Sequence, residues 1–503
     1  MQKLICILLA FSFFLKTYSQ PATYLEKHRP QFHFSPPAHW MNDPNGMVYY
    51  KGEYHLFYQY YPDSTVWGPM HWGHAVTKDL MHWQHLPIAL YPDSLGYIFS
   101  GSAVVDQNNT SGFQKGEEKP LVAIFTYHNI AGEKGGRTDY QSQGIAYSID
   151  KGRTWKKYNG NPVIKNPGTK DFRDPKVMWH EASKQWILTM AVANRVQFYH
   201  STDLKKWELS GSFGVNEGSH GGIWECPDLF QLPTADGSMS KWILLVSINK
   251  GSPNGGSGTQ YFIGNFDGRT FTNDNSAKTV LWLDYGCDDY AGVTWSNAPG
   301  NRRLFLGWMS NWQYAQKVPT QKWRSAMTLP RELFLSKTKD GYRVVTIPAK
   351  ECESLRTRKA IDFLSQKEYA YSLAELTVEF DLSNNTSNDV GIEISNAKHE
   401  NVRIGYNGAT NHFYIDRTNC IDRSFSKEFA SVHTAPRQVL GNRLKMHLFI
   451  DKSSVELFAD DGTVVMTDIF FPAEDFNRIH SYAKDGKPPL VVGNLYDLQS
   501  VWR

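Results

Sequence analysis

Three short motifs each place an acidic side chain beside an aromatic or rigid neighbour, and the acidic residues are Asp43, Asp174 and Glu225. The motifs read Trp-Met-Asn-Asp-Pro-Asn-Gly at 40–46, Asp-Phe-Arg-Asp-Pro-Lys at 171–176 and Ile-Trp-Glu-Cys-Pro-Asp at 223–228. Taken singly, each has an ordinary structural explanation as a turn or a surface ion pair. Taken together, they match a glycosidase, which needs one carboxylate at the anomeric carbon and one to protonate the leaving group. The sequence therefore predicts a sugar site built from three distant segments.

The elements that must position these motifs are short strands. Runs rich in β-branched and aromatic residues recur along the first two thirds of the chain, separated by Gly, Asn, Asp and Pro, and helical periodicity is nearly absent. A weak repeat accompanies them, in which an Asp is followed four or five residues later by an aromatic ring; the Asp residues are Asp79, Asp150, Asp203 and Asp267. Each Asp is expected to accept backbone N–H bonds in a hairpin turn. The irregular spacing suits four-stranded propeller blades, although four unrelated hairpins would give the same pattern.

The pattern of strands changes near residue 336. Beyond that point the strands are longer and alternate between apolar and polar residues, which is typical of a β-sandwich. We therefore predict an all-β protein in which a five-bladed β-propeller at residues 25–335 is followed by a C-terminal β-sandwich at residues 345–503.

Composition narrows the function classes. The chain has 53 basic and 50 acidic side chains, a near balance that argues against a dedicated nucleic-acid binder. The 28 Phe, 16 Trp and 26 Tyr residues have two explanations. They could fill a β-rich core, or their faces could stack on sugar rings.

The first 19 residues have the architecture of a signal peptide. Lys3 precedes an apolar run of 12 residues, Leu4–Leu15, and the small residues Thr17 and Ser19 follow at cleavage-site spacing. The run is too short to span a bilayer as a helix, and no other stretch approaches 18 apolar residues. We therefore expect export to the periplasm or the medium and no membrane span.

The cysteines predict neither a disulfide framework nor a metal site. After the leader, Cys226, Cys287, Cys352 and Cys420 are scattered without CxxC spacing, and the histidines near them form no zinc pattern. We expect no metal and no organic cofactor. The sequence does not indicate an oligomeric state.

The three motifs also resemble those of a known family. Trp40–Gly46, Arg173–Lys176 and Glu225–Asp228 are similar to the signature motifs of glycoside hydrolase family 32, the β-fructosidases. The resemblance extends along most of the chain, to segments at 57–60, 67–75, 99–102, 284–291, 329–333 and 451–458. One departure is Tyr61, where the family often has Asn.

The resemblance implies roles for the acidic residues in a retaining hydrolysis. Asp43 would be the nucleophile that attacks C2 of a terminal fructofuranoside, and Glu225 would be the acid/base. Asp174 would stabilise the transition state through the fructose hydroxyls, and Arg173 would bind the same ring. Because the transition state is cationic at C2 and O5, carboxylates bind it better than the neutral ground state.

A further set of side chains is expected around the fructosyl unit. The polar members are Asn42, Gln59, Ser100 and Asp228, and the aromatic members are Trp40, Trp67, Phe99 and Trp312. For the aromatic residues, packing within the propeller is the alternative explanation.

The segment Gly307–Thr320 is similar to microbial exo-inulinases and levanases, which predicts an exo-acting fructan β-fructosidase that releases fructose from inulin or levan and also splits sucrose. A sucrose-preferring invertase and an endo-levanase are alternatives within the class. Three other classes of protein are alternatives. A glycan-binding propeller without catalytic activity would not need the three carboxylates, and a sialidase would need a cluster of Arg residues. An arabinanase-like enzyme would have three carboxylates but would invert the configuration at the anomeric carbon.

Overall fold

A computed structural model describes residues 24–234, 237–338, 340–365, 367–384, 386–420 and 424–502. The predicted signal peptide at 1–19 lies outside these residues. Within them the fold is all-β, as predicted. The helical elements described are α1 (Ile130–Lys134) and short 3₁₀ helices at Pro299–Asn301, Lys350–Leu355 and Asp460–Gly462. No described helix is long and apolar enough to cross a membrane.

The N-terminal part consists of antiparallel sheets that follow one another along the chain. The strands of the first three sheets are β1 (His39–Tyr50), β2 (Glu53–Tyr61), β3 (His71–Thr77) and β4 (Gln84–Leu90); β5 (Tyr97–Val105), β6 (Leu121–His128), β7 (Gln141–Ser148) and β8 (Lys156–Lys157); and β9 (Phe172–His180), β10 (Gln185–Val192), β11 (Arg195–Ser201) and β12 (Glu208–Phe213).

Two further sheets complete this part. Their strands are β13 (Trp224–Pro233), β14 (Ser240–Ile248), β15 (Gly258–Phe266), β16 (Phe271–Asn273) and β17 (Leu281–Trp282); and β18 (Tyr290–Thr294), β19 (Leu304–Met309), β21 (Ala326–Met327), β22 (Arg331–Thr338) and β23 (Gly341–Pro348). The short strand β20 (Trp323–Arg324) pairs in parallel with β1 and so ties the end of this part to its beginning. The last sheet continues to Pro348, beyond the boundary at 335 expected from the sequence, because β22 pairs with β23 over its whole length.

The first strands of successive sheets contact one another. β1 contacts β5, β5 contacts β9, β9 contacts β13, β13 contacts β18, and β18 contacts β1 again. These strands are buried along nearly their whole length. We call them the inner strands, and they bring residues more than 200 positions apart in sequence around one centre.

The predicted Asp turns are confirmed. Each joins the third and fourth strands of one of the first four sheets, and in each the carboxylate accepts backbone N–H bonds. In the second and third turns, Trp155 and Trp207 close the hairpin by donating to backbone carbonyls of the turn.

The C-terminal part consists of two sheets, each of six strands among the described residues. In chain order the strands are β24 (Ile361–Leu364), β25 (Glu368–Ala370), β26 (Ala374–Asp381), β27 (Asp389–Ser395), β28 (Asn401–Asn407), β29 (His412–Asn419), β30 (Val432–Pro436), β31 (Arg443–Ile450), β32 (Ser454–Ala459), β33 (Val464–Ile469), β34 (Arg478–Ala483) and β35 (Leu490–Asp497). Their sheet orders are β24-β35-β26-β31-β32-β33 and β25-β34-β27-β28-β29-β30. One hydrophobic core contains side chains of both sheets, including Leu376 and Leu448 from the first and Ile392 and Ile404 from the second.

A buried ionic network joins the two parts. Arg331, on β22, has no exposed surface and pairs with Asp284 and Asp289 of its own part and with Glu456 on β32. A buried charge is tolerated where its partners saturate its hydrogen bonds, and removal of one partner is strongly destabilising. The network therefore fixes how the C-terminal sheets sit against the N-terminal ones.

Candidate active site

A cavity of about 240 Å³ opens where the inner strands begin. Of the residues expected around a sugar, the following line it: Asn42, Asp43, Gln59, Trp67, Phe99, Ser100, Arg173, Asp174, Glu225 and Trp312. The structure thus brings together Asp43, Asp174 and Glu225, the acidic residues of the three sequence motifs. The volume is in the range that holds one or two sugar units.

An irregularity in the strand pairing explains why these side chains reach the cavity. Each inner strand has a register shift near its start, and the shifts lie at 41–44, 98–101, 173–176, 225–228 and 290–293. A bulge of this kind re-aims side chains and commonly occurs beside functional sites. Three of the five contain a proline, which cannot donate to the ladder. The Pro in each acidic motif therefore helps the strand depart from regular pairing.

Asp43 lies on β1 and is held through both carboxylate oxygens. Ser100 Oγ donates to Oδ2 at 2.6 Å, and the amide of Asn42 donates to Oδ1 at 2.9 Å. Burial raises the pKa of Asp43, these two hydrogen bonds oppose the rise, and the negative charge of Glu225 adds to it. The donors therefore orient the carboxylate and favour its ionised form.

Asp174 lies on β9 in a left-handed backbone conformation, with φ of 62°. Its Oδ2 accepts the backbone N–H of Cys226 at 3.0 Å, which links β9 to β13. Burial raises the pKa of Asp174 to about 7; Arg173 opposes the rise, and the nearby Glu225 and Asp43 reinforce it. A non-glycine residue with positive φ costs free energy, and such strain is concentrated at functional sites.

Glu225 lies at the start of β13 and is fixed by groups from two other inner strands. Arg173 donates to Oε1 from Nη2 at 2.9 Å and from Nε at 3.2 Å. The hydroxyl of Tyr290, on β18, donates to Oε2. Asp171 in turn fixes the guanidinium through Nη1 at 2.6 Å. Both oxygens of Glu225 are thus oriented toward a defined position in the cavity.

The thiol of Cys226 lies between two of the carboxylates. Its Sγ is 3.5 Å from Oδ2 of Asp43 and 3.6 Å from Oδ2 of Asp174. Burial raises the pKa of Cys226 well above its usual range, and the neighbouring carboxylates act in the same direction. The sulfur is therefore a neutral thiol that donates to a carboxylate rather than a nucleophile.

Trp40 and Asp228, two residues that were expected to contact the sugar, do not line the cavity. Trp40 is fully buried behind the cavity, where its Nε1 donates to Asn42 and its ring packs 5.8 Å from that of Trp312. Asp228 also lies outside the cavity, because the shift at 225–228 turns its carboxylate toward the N–H and hydroxyl of Thr294. Trp40 supports the lining residues from behind.

Sequence reasoning missed several residues of the site. The cavity is also lined by His128, Glu133, Tyr140, Gln141 and Asp171, the first four of which lie in or directly beside the β6–β7 connection that contains α1. No sequence pattern indicated that connection. Asp171 and Tyr290 lie within segments already singled out, and their position beside Arg173 and Glu225 could have been suspected from those segments.

These residues form a hydrogen-bonded chain that ends at Glu225. Glu133 contacts His128 Nε2 at 3.0 Å, the amide of Gln141 donates to His128 Nδ1 at 3.2 Å, and Arg173 reaches Gln141 Oε1 at 3.5 Å. Burial lowers the pKa of His128, so the ring is neutral, with Nε2–H donating to Glu133. The chain holds Arg173 from the side opposite Glu225.

One group of described residues has the side-chain types of a metal site, and it lies away from the cavity. Cys287, His433 and Asp468 are buried where the two parts of the protein meet. The Nδ1 of His433 bonds Asp468 at 2.7 Å, whereas its Nε2 faces the sulfur of Cys287 at 3.2 Å. Their possible ligand atoms lie within 4.8 Å of one another, but both nitrogens of the imidazole already have protein partners.

Comparison with known proteins places the chain among carbohydrate-cleaving enzymes. The Glycosyl hydrolases family 32 N-terminal domain matches residues 33–348, and the Glycosyl hydrolases family 32 C terminal domain matches residues 348–497. The levanase of Bacillus subtilis (strain 168) is 49% identical over 493 residues, which cover 95% of this chain and 72% of the levanase. The extracellular exo-inulinase of Aspergillus awamori is 38% identical, with 95% of this chain and 96% of that protein covered.

Solved structures that resemble this chain are also carbohydrate-cleaving enzymes. The exo-inulinase of Aspergillus awamori superposes with a TM-score of 0.89 at 36% identity, covering 95% of this chain and all of that one. The β-fructofuranosidase of Schwanniomyces occidentalis complexed with fructosyl-erythritol gives a TM-score of 0.83 at 34% identity, covering 95% and 99%. The resemblance that the three motifs indicated is thereby confirmed, and the chain belongs to glycosyl hydrolase family 32.

Proposed function

We propose that this protein is a retaining β-fructosidase that releases terminal β-D-fructofuranosyl units from fructans and also hydrolyses sucrose. The observation that carries this proposal is the convergence of Asp43, Asp174 and Glu225 in a cavity of about 240 Å³, each held by its own donors. The family, and the levanase and exo-inulinase among its relatives, support the fructan substrate.

In the first step, Asp43 attacks C2 of the terminal fructosyl unit, and Glu225 gives its proton to the leaving oxygen. The bond from C2 to the leaving group breaks as the bond to the aspartate oxygen forms. In the second step, Glu225 takes a proton from water, the resulting hydroxide equivalent attacks C2, and Asp43 leaves as a carboxylate. Two inversions at C2 give net retention.

Asp174 and Arg173 act on the ring rather than on the breaking bond. An ionised Asp174 accepts hydrogen bonds from fructose hydroxyls, and these strengthen as positive charge develops at C2 and O5. Trp67, Phe99 and Trp312 supply apolar walls against which the furanose packs, and Gln59 and Asn42 supply amide groups. A small cavity of this kind suits removal of single terminal units.

The finer architecture is also proposed. We propose that the five N-terminal sheets are the blades of a propeller, whose inner strands surround the central axis. We propose that the two C-terminal sheets form a sandwich. We further propose that residues 1–19 are a signal peptide and that the mature enzyme acts outside the cytoplasm. The related fungal exo-inulinases of Aspergillus are extracellular, which supports this proposal.

A product profile tests the function. The purified protein is incubated with sucrose, inulin and levan, and early products are separated and their anomeric form is followed by NMR. We expect fructose as the first product from all three substrates, released as the β-anomer. If inulin and levan yield only oligosaccharides, the protein is an endo-levanase instead. Activity on sucrose alone would indicate an invertase. Inversion at C2 would overturn the retaining mechanism.

The site assignment has its own test. Asp43→Ala and Glu225→Ala should each lower kcat by at least about 10³-fold, whereas Asp485→Ala, at an exposed position of the C-terminal part, should leave it unchanged. Retention of most fructose release by either site variant would show that the roles are assigned wrongly.

A further inference from the structure

A second cavity, of about 420 Å³, lies at the opposite end of the inner strands, and we call it the lower cavity. On β9 the active-site residue Asp174 precedes Val177–Trp179, which line the lower cavity; on β13 Glu225 precedes Leu229–Gln231, which also line it. The nearest lining residues are closer: Lys176 is two positions after Asp174 and Asp228 is three after Glu225, or roughly 7–10 Å at about 3.3 Å per residue, and no described residue lines both cavities. The lower cavity is therefore not an extension of the active site.

The lower cavity contains buried polar atoms that lack partners. Asp228 is only 1% exposed; its Oδ2 accepts from Thr294 and contacts Lys176 Nζ at 3.1 Å, but its Oδ1 has no partner. Arg303 Nε is likewise buried without a partner, while the guanidinium stacks on the ring of Phe230 at 4.8 Å. An unmet buried acceptor or donor costs about 1–3 kcal/mol, so each of these two atoms favours a ligand that supplies its missing partner.

The chemistry of these two residues selects the occupant. A hydroxyl can donate to the Asp228 carboxylate and accept from the Arg303 guanidinium at the same time. A phosphate or carboxylate could bind Arg303, but it would face the unshared oxygen of Asp228, whose charge repels it. The walls add Trp179 and Trp242 as apolar surfaces and Gln231 and Asn297 as amides. Aromatic rings beside planar polar groups are suited to a neutral polyhydroxylated ligand.

We propose that the lower cavity is a second, non-catalytic binding site for a sugar unit of the fructan substrate. This inference rests on the proposed function, because it takes the same polymer to both sites. A long chain held at the lower cavity raises the effective concentration of its ends at the active site. Sucrose is too short to reach both sites, so binding at the lower cavity would not raise its effective concentration at the active site.

Binding is measured by calorimetry on the full chain carrying Asp43→Ala, titrated with an inulin-type oligosaccharide of five units. We expect two sites per chain, and adding Arg303→Leu should remove one of them. With Asp43 intact, Arg303→Leu should raise KM for long-chain inulin at least twofold and leave kcat and KM for sucrose unchanged. The exposed Gln231→Ala should weaken the same site without risk to folding, and Arg358→Leu, at an exposed arginine of the C-terminal part, is the matched control.

A single site in the Asp43→Ala protein, or two sites that persist in Arg303→Leu and Gln231→Ala, would overturn the inference. Inorganic phosphate is titrated in parallel; tight phosphate binding lost in Arg303→Leu would identify an anion site instead. Failure of the proposed function is distinguishable, because the protein would then hydrolyse no β-fructoside whatever the number of binding sites. Intact hydrolysis with one binding site would overturn this inference alone.

Discussion

Arg173 donates two hydrogen bonds to one oxygen of Glu225, at 2.9 and 3.2 Å, across the gap between β9 and β13. The remaining arm of the guanidinium is taken by Asp171 at 2.6 Å. A planar fork held at both ends has little freedom to rotate. The position of the glutamate is therefore set by a residue 52 positions away in sequence.

This contact predicts a strong effect of Arg173 on catalysis. Arg173→Leu should lower kcat/KM about 100-fold, because a hydrogen bond to a charged group contributes about 3 kcal/mol and each 1.4 kcal/mol is tenfold in rate. Arg173→Lys should recover only part of the loss, since a lysine cannot donate from a fork. Steady-state kinetics on sucrose measure both variants. Equal activity of the lysine variant and the parent protein would show that charge alone is needed.

Asp174 should destabilise the fold at neutral and higher pH. Because burial raises its pKa to about 7 from an ordinary value of 3.8, the folded state binds the proton more tightly than the unfolded state. Its contribution to stability therefore falls as pH rises from about 4 to about 7. Asp174→Asn, which mimics the protonated form, should be inactive but more stable than the parent protein by about 1–3 kcal/mol at pH 8.

The gain in Asp174→Asn should disappear near pH 4, where the parent carboxyl is protonated in the folded state and half protonated in the unfolded state. Urea unfolding of both proteins at pH 4, 6 and 8 gives the comparison, with Asp485→Asn as an exposed control. A variant less stable than the parent protein at pH 8 would contradict the raised pKa.

The C-terminal part should influence sugar binding through Arg417. This fully buried side chain, on β29, donates to Asp288 at 2.7 Å and to the hydroxyl of Tyr314 at 2.9 Å, and Tyr314 follows the cavity residue Trp312 by two positions. Arg417→Met should lower the free energy of unfolding by about 3–5 kcal/mol, because it leaves a buried carboxylate unpaired. It should also raise KM more than it lowers kcat.

The milder variant Tyr314→Phe keeps the ion pair between Arg417 and Asp288 but removes the hydroxyl that links Arg417 to the Trp312 segment. We expect a smaller loss of stability and a similar direction of change in KM. Unchanged KM in both variants, measured on folded protein, would show that the C-terminal part does not position Trp312.

His33 should also make the stability of the protein fall as pH rises, but in a higher pH range than Asp174. Burial alone would lower the pKa of His33, but hydrogen bonds at 2.8 Å to Asp451 and to Glu456 raise it to about 9. The stabilisation is complete below the ordinary value of 6.5 and is lost as pH rises through about 9. We expect the free energy of unfolding to fall by about 3 kcal/mol over that window.

His33→Gln should flatten this decline, whereas His399→Gln, at an exposed position, should preserve it. Denaturant unfolding at pH 6, 7, 8 and 9 makes the measurement. A parent protein whose stability is constant from pH 6 to pH 9 would show that His33 is not protonated in the folded state.

Some features of this protein follow from local sequence. The Asp turns were predictable because an aspartate bonds backbone N–H groups two to four residues away, so that the whole interaction lies within one hairpin. The three acidic motifs were recognisable for a related reason, since each is a contiguous run of residues. Their type and order sufficed to indicate the family and to nominate Asp43, Asp174 and Glu225.

Only the tertiary structure decided which neighbours act on those residues. Tyr290 reaches Glu225 from 65 positions away, His128 comes from the end of β6, which carries no motif, and Asp228 turns away from the cavity although it is only three residues after Glu225. The physical reason is that strand register and bulges fix side-chain direction, and both depend on pairing between distant segments. The sequence by itself determined the acids and the chemistry they suit, and the packing of the inner strands determined their geometry, their supports and the lower cavity.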